Sequence, residues 1–144
     1  MITDALLRVS SAQALTTTAV STDKIDLSVA RDIGEGQDLY MNFAVVTQLT
    51  GGTSVNFEVV VADDAAISTN VTVIGSSGAI ATAALVAGYN TAVRLNPSIA
   101  SLGRRYLAAR YTIVGTYSAG AVTADVVSDI QDGRKSYASG FAVV

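Results

Sequence analysis

The chain contains no cysteine, no histidine and no tryptophan, and its only proline is Pro97. Each absence removes a class of explanation. Without cysteine no disulfide framework can staple the fold, so stability must come from a core and from partners. Without histidine or cysteine there is no Ser-His-Asp or Cys-His nucleophile and no His- or Cys-ligated zinc. Lysine is scarce, with only Lys24 and Lys135, and the net charge is −3 with a sequence pI near 4.6. A mildly acidic chain is a poor electrostatic match for nucleic acid or anionic lipid, so neither nucleic acid nor membrane is expected as a partner. Long apolar runs are missing as well. The best, Ala79 to Ala87, is short and broken by Thr82, well under the about 18 residues a spanning helix needs. Asp4 and Arg8 interrupt the N-terminal apolar stretch and no basic region precedes it, so a signal peptide is not expected.

What remains is a sequence of 144 residues that is half hydrophobic and 15% charged, a composition for a folded chain and not a disordered one. The length fits one domain spanning residues 1–144. Val and Thr recur throughout, and both suit the half-buried surface of a pleated strand. Several windows alternate with period two. Leu39, Met41, Phe43 and Val45 share a face, and after Gly51-Gly52-Thr53 so do Val55, Phe57, Val59 and Val61. Two such runs around a glycine pair predict an antiparallel hairpin or a short connection between sheet partners. Leu107, Ala109, Tyr111 and Ile113 form a third run and Val122, Ala124, Val126 and Ile130 a fourth, with Gly115 to Gly120 between them. A second hairpin is expected there.

Shorter strand candidates are Thr16–Val20, Asp23–Leu27, Val71–Ile74 and Thr91–Leu95. Turn residues punctuate the chain at Gly34-Glu35-Gly36, Gly75 to Gly78, Gly88-Tyr89-Asn90, Asn96-Pro97 and Asp132-Gly133. Helical signals are thin: a turn or two over Ile80 to Val86, and a short turn over Ile99 to Arg105. Strands separated by glycine turns, about eight in all, predict an all-β antiparallel sandwich or barrel with little helix.

A search for chemistry returns little. Asp63-Asp64 would point to opposite faces of an extended segment, poor geometry for an acid–base pair. Asp129 and Asp132 beside Gly133 offer oxygen ligands in principle, but Asp132-Gly133 reads first as a turn. Gly34-Glu35-Gly36 is half a dinucleotide fingerprint, with Leu39 where the third glycine should be, and no Gly-Lys pair exists for a P-loop. No catalytic, cofactor-binding or metal residues are assigned, no cofactor is expected, and the chain is not expected to be an enzyme. Arg104, Arg105 and Arg110 gather near a strand start, where arginine forks suit an interface. A solvated strand edge protected by charge would look the same. The apolar tail Tyr137, Phe141, Val143 and Val144 is either a last strand or an arm reaching a neighbour.

Four stretches, in order, resemble a known family. Ala119 to Phe141, reading AGAVTADVVSDIQDGRKSYASGF, is similar to the C-terminal signature of the capsid cement (decoration) proteins of Bordetella-type short-tailed phages. Ile2 to Leu7 (ITDALL), Ala30 to Tyr40 (ARDIGEGQDLY) and Arg105 to Tyr111 (RYLAARY) resemble the same family, while the middle from about Thr47 to Ala87 matches less distinctively. The resemblance implies a jelly roll made in the host cytoplasm and placed on the outer surface of an icosahedral head. It implies major capsid protein as partner and a homo-oligomer, a dimer rather than a trimer, that bridges capsid subunits. Arg104, Arg105, Arg110, Tyr137, Phe141, Val143 and Val144 are the candidate contact residues. Two rivals stand beside this expectation: a carbohydrate- or receptor-binding jelly-roll module, for which the absence of tryptophan is unfavourable, and a tail-associated virion component.

Overall fold

A computed structural model describes residues 3–28, 38–95 and 102–130. Nine strands run through the described residues: β1 (Arg8–Ala14), β2 (Ala19–Val20), β3 (Ile25–Asp26), β4 (Tyr40–Thr50), β5 (Ser54–Ala62), β6 (Thr72–Ala81), β7 (Asn90–Arg94), β8 (Tyr106–Val114) and β9 (Ala119–Val127). Among the described residues there are two 3-10 turns, Ala5–Leu7 and Thr82–Ala84, and Leu102 is helical. The second is all that forms of the helix expected over Ile80 to Val86.

One sheet has the order β1-β9-β4-β7 and the other β2-β8-β5-β6, with β3 also on β8. Every pairing is antiparallel. β2 and β3 follow one another along the same edge of β8. Ala19 and Val20 pair with Tyr111 and Arg110, and Ile25 and Asp26 with Leu107 and Tyr106. Between them buried Ser21 bridges the gap, its N–H donating to the Ala109 carbonyl and its hydroxyl accepting from the Ala109 N–H. Each sheet is therefore four strands wide. The chain changes sheet at almost every connection, and the only consecutive strands that pair are β5 and β6. Eight strand positions in two facing sheets with this order form a jelly roll.

The alternation read from the sequence is what fills the core. Met41, Phe43 and Val45 of β4 face Val55, Phe57, Val59 and Val61 of β5 and Leu107, Ala109 and Tyr111 of β8, all buried. Phe57 and Tyr111 are direct cross-strand partners. The Phe43 ring, from the other sheet, lies 5.0 Å from Phe57 and meets Tyr111 edge-on at 6.1 Å. Ala109 and Ala124 are fully buried beside this trio, small residues set against large ones as dense packing demands. Burying a phenylalanine of this kind contributes about 2–3 kcal/mol.

Both expected hairpins are overturned. β4 and β5 lie in different sheets, and so do β8 and β9. The glycine segments between them are arches that carry the chain across the sandwich. A hairpin and an arch bury the same alternate residues, so period two does not separate them. The two arches meet: a Cβ on Gly115 (φ +88°) would sit 3.4 Å from the Gly52 Cα, and one on Gly52 would collide with the Tyr117 ring at 2.5 Å. Thr82 locks the cluster, its hydroxyl bonded to the Gly52 carbonyl at 2.7 Å and to the Tyr117 hydroxyl at 2.6 Å.

Three further expectations are corrected. Gly75 to Gly78 is no turn but the middle of β6, which outruns the strand expected at Val71–Ile74. Two register shifts against β5 absorb the irregularity of this stretch, one of them at Gly78 (φ +74°). Thr16–Val20 and Asp23–Leu27 shrink to two-residue strands. β1 was not foreseen, because its buried Val9 and Ser10 are consecutive and a register shift breaks the alternation. The turns at Gly34-Glu35-Gly36, Asn96-Pro97 and Asp132-Gly133 lie outside the described residues, as do residues 99–101 of the turn expected at Ile99 to Arg105; of its described part, Leu102 is helical and Gly103 is in a turn.

Candidate interaction surface

On the outer face of the β2-β8-β5-β6 sheet, period two turns Ser54, Asn56, Glu58, Val60 and Ala62 of β5 away from the core. It does the same for Tyr106, Ala108, Arg110, Thr112 and Val114 of β8, which stand in register against them. Half of this face is apolar and covered. Val60, Ala62 and Ala108 are buried beneath Ile67, which comes from the β5–β6 connection, residues 63–71. Ile67 is held at φ +54°, a conformation rare for a β-branched residue. Asp64 pins the connection by accepting from the Ser68 N–H at 3.0 Å, the Thr69 N–H at 2.6 Å and the Ser68 hydroxyl at 2.8 Å. These donors, the Thr69 N–H foremost, hold the Asp64 carboxyl at about 2, below its usual 3.8.

The other half of the face is polar and holds Arg110, whereas Arg104 and Arg105 lie beyond Tyr106 at the end of the apolar half. Arg110 Nε donates to Glu58 Oε2 at 2.6 Å, and Thr112 donates to the same oxygen at 2.8 Å. Asn56 donates to Glu58 Oε1 at 2.9 Å and accepts from Ser76 at 2.8 Å. Arg105 grips Asp26 with two parallel bonds of 2.8 Å and lies over the Tyr106 ring, 5.2 Å from its centre. That grip, with a further bond from the Ser28 N–H, draws the Asp26 carboxyl down to about 2 and raises Arg105. Arg104 donates to both oxygens of Asp63 at 3.0 Å. Asp63 is lowered too, first by the bond from Asn70 and then by Arg104.

The structure thus places Arg110 on β8 and Arg104 and Arg105 just before it, each already paired with a carboxylate of its own chain. Arg8 with Asp125 and Arg94 with Asp38 complete the pattern, so every arginine among the described residues has such a partner. A docking protein would have to exchange these pairs, not add to them, so the arginines can set orientation at small net gain. Tyr137, Phe141, Val143 and Val144 lie outside the described residues. The partners Asp26, Glu58 and Asp63 were missed. Alternation puts Glu58 and Arg110 on outward faces, but only the β5–β8 register makes them neighbours. Among the described residues no group of three or more carboxylates lies close enough to hold a metal ion. Both Asp63 and Asp64 serve the 63–71 connection. The exposed large apolar residues among those described are dispersed: Leu6 and Leu7 on the first 3-10 turn, Val114 at the end of β8, Val46 on β4, Val73 on β6, Val86 after the second 3-10 turn and Ile130 after β9.

A model of the Bbp16 family matches residues 9–126. The chain belongs to the Bbp16 family. The match opens on the second residue of β1 and closes one residue before the end of β9, so what defines the Bbp16 family here is the jelly roll itself. The family name points to a Bordetella phage protein. No curated protein matches the chain.

Proposed function

We propose that this chain is a capsid cement protein. In this reading it is a structural, non-enzymatic jelly roll on the outer surface of a phage head, where it staples neighbouring major capsid protein subunits. The observation that carries the reading is membership of the Bbp16 family across the whole sandwich, joined to the four ordered stretches that resemble cement proteins of Bordetella-type phages. A cement role asks for a rigid body with adhesive surfaces and for no active site. The monomer exposes 8058 Å². An ordinary interface takes about 800 Å² from each partner, so one copy can hold a second copy and still grip the shell. An oligomer touching two capsid subunits makes the second contact intramolecular, and avidity follows from individually weak contacts. The pre-paired arginines suit this, because they rigidify the surface and keep it from binding anions at random.

The test is co-sedimentation of purified protein with mature heads that lack it, followed by imaging of the pellet. Saturable binding at fixed lattice positions is the expected result. Absence of binding to expanded heads by properly folded protein would overturn the reading, leaving a tail component or a glycan-binding module to be tested on tails and on a glycan array.

A further inference from the structure

We infer that the end of the sandwich where its two arches meet is the surface that seats on the head, against an uncharged patch of the major capsid protein. The inference rests on the cement reading and says which part of the jelly roll makes the contact.

Charge is sorted along the length of the sandwich. At one end β4 and β8 finish and β5 and β9 begin, with β1 and β6 finishing beside them. The connections there are residues 15–18, 51–53, 82–89 and 115–118, and none of the four contains Asp, Glu, Lys or Arg. The nearest charges along β5 and β8 are Glu58 and Arg110, four residues in from Ser54 and Val114 and paired with each other. Four residues of strand put them roughly 13 Å from the tip. The other four ion pairs of the described residues all lie toward the opposite end, among them Arg94 of β7 with Asp38. Charged groups keep a surface hydrated and free, whereas the cores of interfaces are depleted in them. The arch end lacks that protection and leaves Val114 55% and Val86 45% exposed.

This end is also held firmly. The Thr82 hydroxyl ties Gly52 to Tyr117, the Thr82 N–H donates to the Thr53 carbonyl at 3.0 Å, and the Ser118 N–H donates to the Thr50 carbonyl at 2.9 Å. A surface already fixed loses little freedom on docking.

Size decides the occupant. Four strands about 4.8 Å apart, in two sheets about 10 Å apart with outward side chains, make an end roughly 20 Å by 20 Å, or roughly 400 Å². That is half of the about 800 Å² that an ordinary interface takes from each partner, too little for a second copy to hold by itself. It suits a shell, where an oligomer seats through several such ends at once and avidity joins the weak contacts.

The test is co-sedimentation with heads that lack the protein, read as bound copies against free concentration. Unaltered protein is expected to bind equally, within about twofold, at about 50 mM and about 1 M salt, since no ion pair forms at the contact. Val86→Lys with Val114→Lys is expected to weaken binding at least about tenfold, and Val86→Glu with Val114→Glu likewise, because a charge of either sign must be desolvated. Both double variants keep the melting temperature and, without heads, the sedimentation mass of the unaltered chain. Leu6→Lys, exposed at the opposite end, binds normally. Because the chain has no cysteine, an introduced thiol gives a second reading if the double variants fail to fold. Thr116→Cys, at an exposed position, is expected to react with maleimide at least about tenfold more slowly on heads than free, since docking excludes solvent from the contact; Leu6→Cys keeps its rate. Folded double variants that bind like the unaltered chain, or a Thr116→Cys thiol equally reactive on heads, would overturn the inference and spare the cement reading. A double variant of lower mass without heads would overturn it too, by assigning the tip to a second copy. Unaltered protein that binds no heads overturns the cement reading itself, and this assignment with it.

Discussion

The two flanks of the sandwich are closed by opposite means. On the β1 side, side chains lace the sheets together. Gln13 donates to the Val20 carbonyl and accepts from the Thr22 N–H, both at 2.9 Å, and accepts from the Ser10 hydroxyl at 2.8 Å. Ser10 in turn accepts from the buried Tyr111 hydroxyl at 2.7 Å. On the β6/β7 side the decisive feature is a side chain that is missing. A Cβ on Gly75 would lie 2.5 Å from Val93 Cγ1 and 2.9 Å from the Arg94 carbonyl oxygen, so β7 packs where a side chain would otherwise stand. A laced flank fails when a donor or acceptor is removed. A flank closed by bare backbone fails when atoms are added.

Four measurements break or sharpen the comparison, the first by removing what both flanks rest on. Phe57→Ala opens the aromatic trio and is expected to cost about 3–5 kcal/mol in urea unfolding. Gly75→Ala overpacks the β6/β7 flank and should cost roughly 1–3 kcal/mol. Adding Val93→Ala should recover only part of that loss, since the Arg94 carbonyl stays in place, and full recovery would mean that the backbone approach is unimportant. On the laced flank, Ser10→Ala strands the Tyr111 hydroxyl in the core at a cost of about 1–2 kcal/mol. Tyr111 ionisation, already raised mainly by burial, should then be no easier than in the unaltered chain.

The smallest effect is acidic and local. The Asp64 carboxyl titrates at about 2 in the folded chain against 3.8 ordinarily. A depressed carboxylate contributes stability that is complete above its unfolded value and lost as the pH falls through the folded one. Amide exchange at Ser68 and Thr69, corrected for intrinsic rates, should show protection at about pH 4.5 that fades toward about pH 2 while core amides stay protected. Equal loss at core amides would mean that the 63–71 connection does not open on its own.

The amino-acid sequence by itself determined the class of fold and its interior. Alternating Val, Phe and Leu along β4, β5, β8 and β9 decides which atoms are buried, because the side-chain period of a strand is two whatever it pairs with. The lack of histidine and cysteine likewise decides which nucleophiles and zinc sites cannot exist, whatever the chain folds into. The tertiary structure alone decided which strands are partners. A glycine segment such as Gly51-Gly52 bends the chain equally well into a hairpin or an arch, and the arch prevails here because Phe43 must face Phe57 and Tyr111 across the core instead of lying beside them. The ion pairs follow the same logic. Arg110 and Glu58, or Arg105 and Asp26, are far apart in sequence and meet only through strand register, which arises from packing over the whole sheet and leaves no local signal.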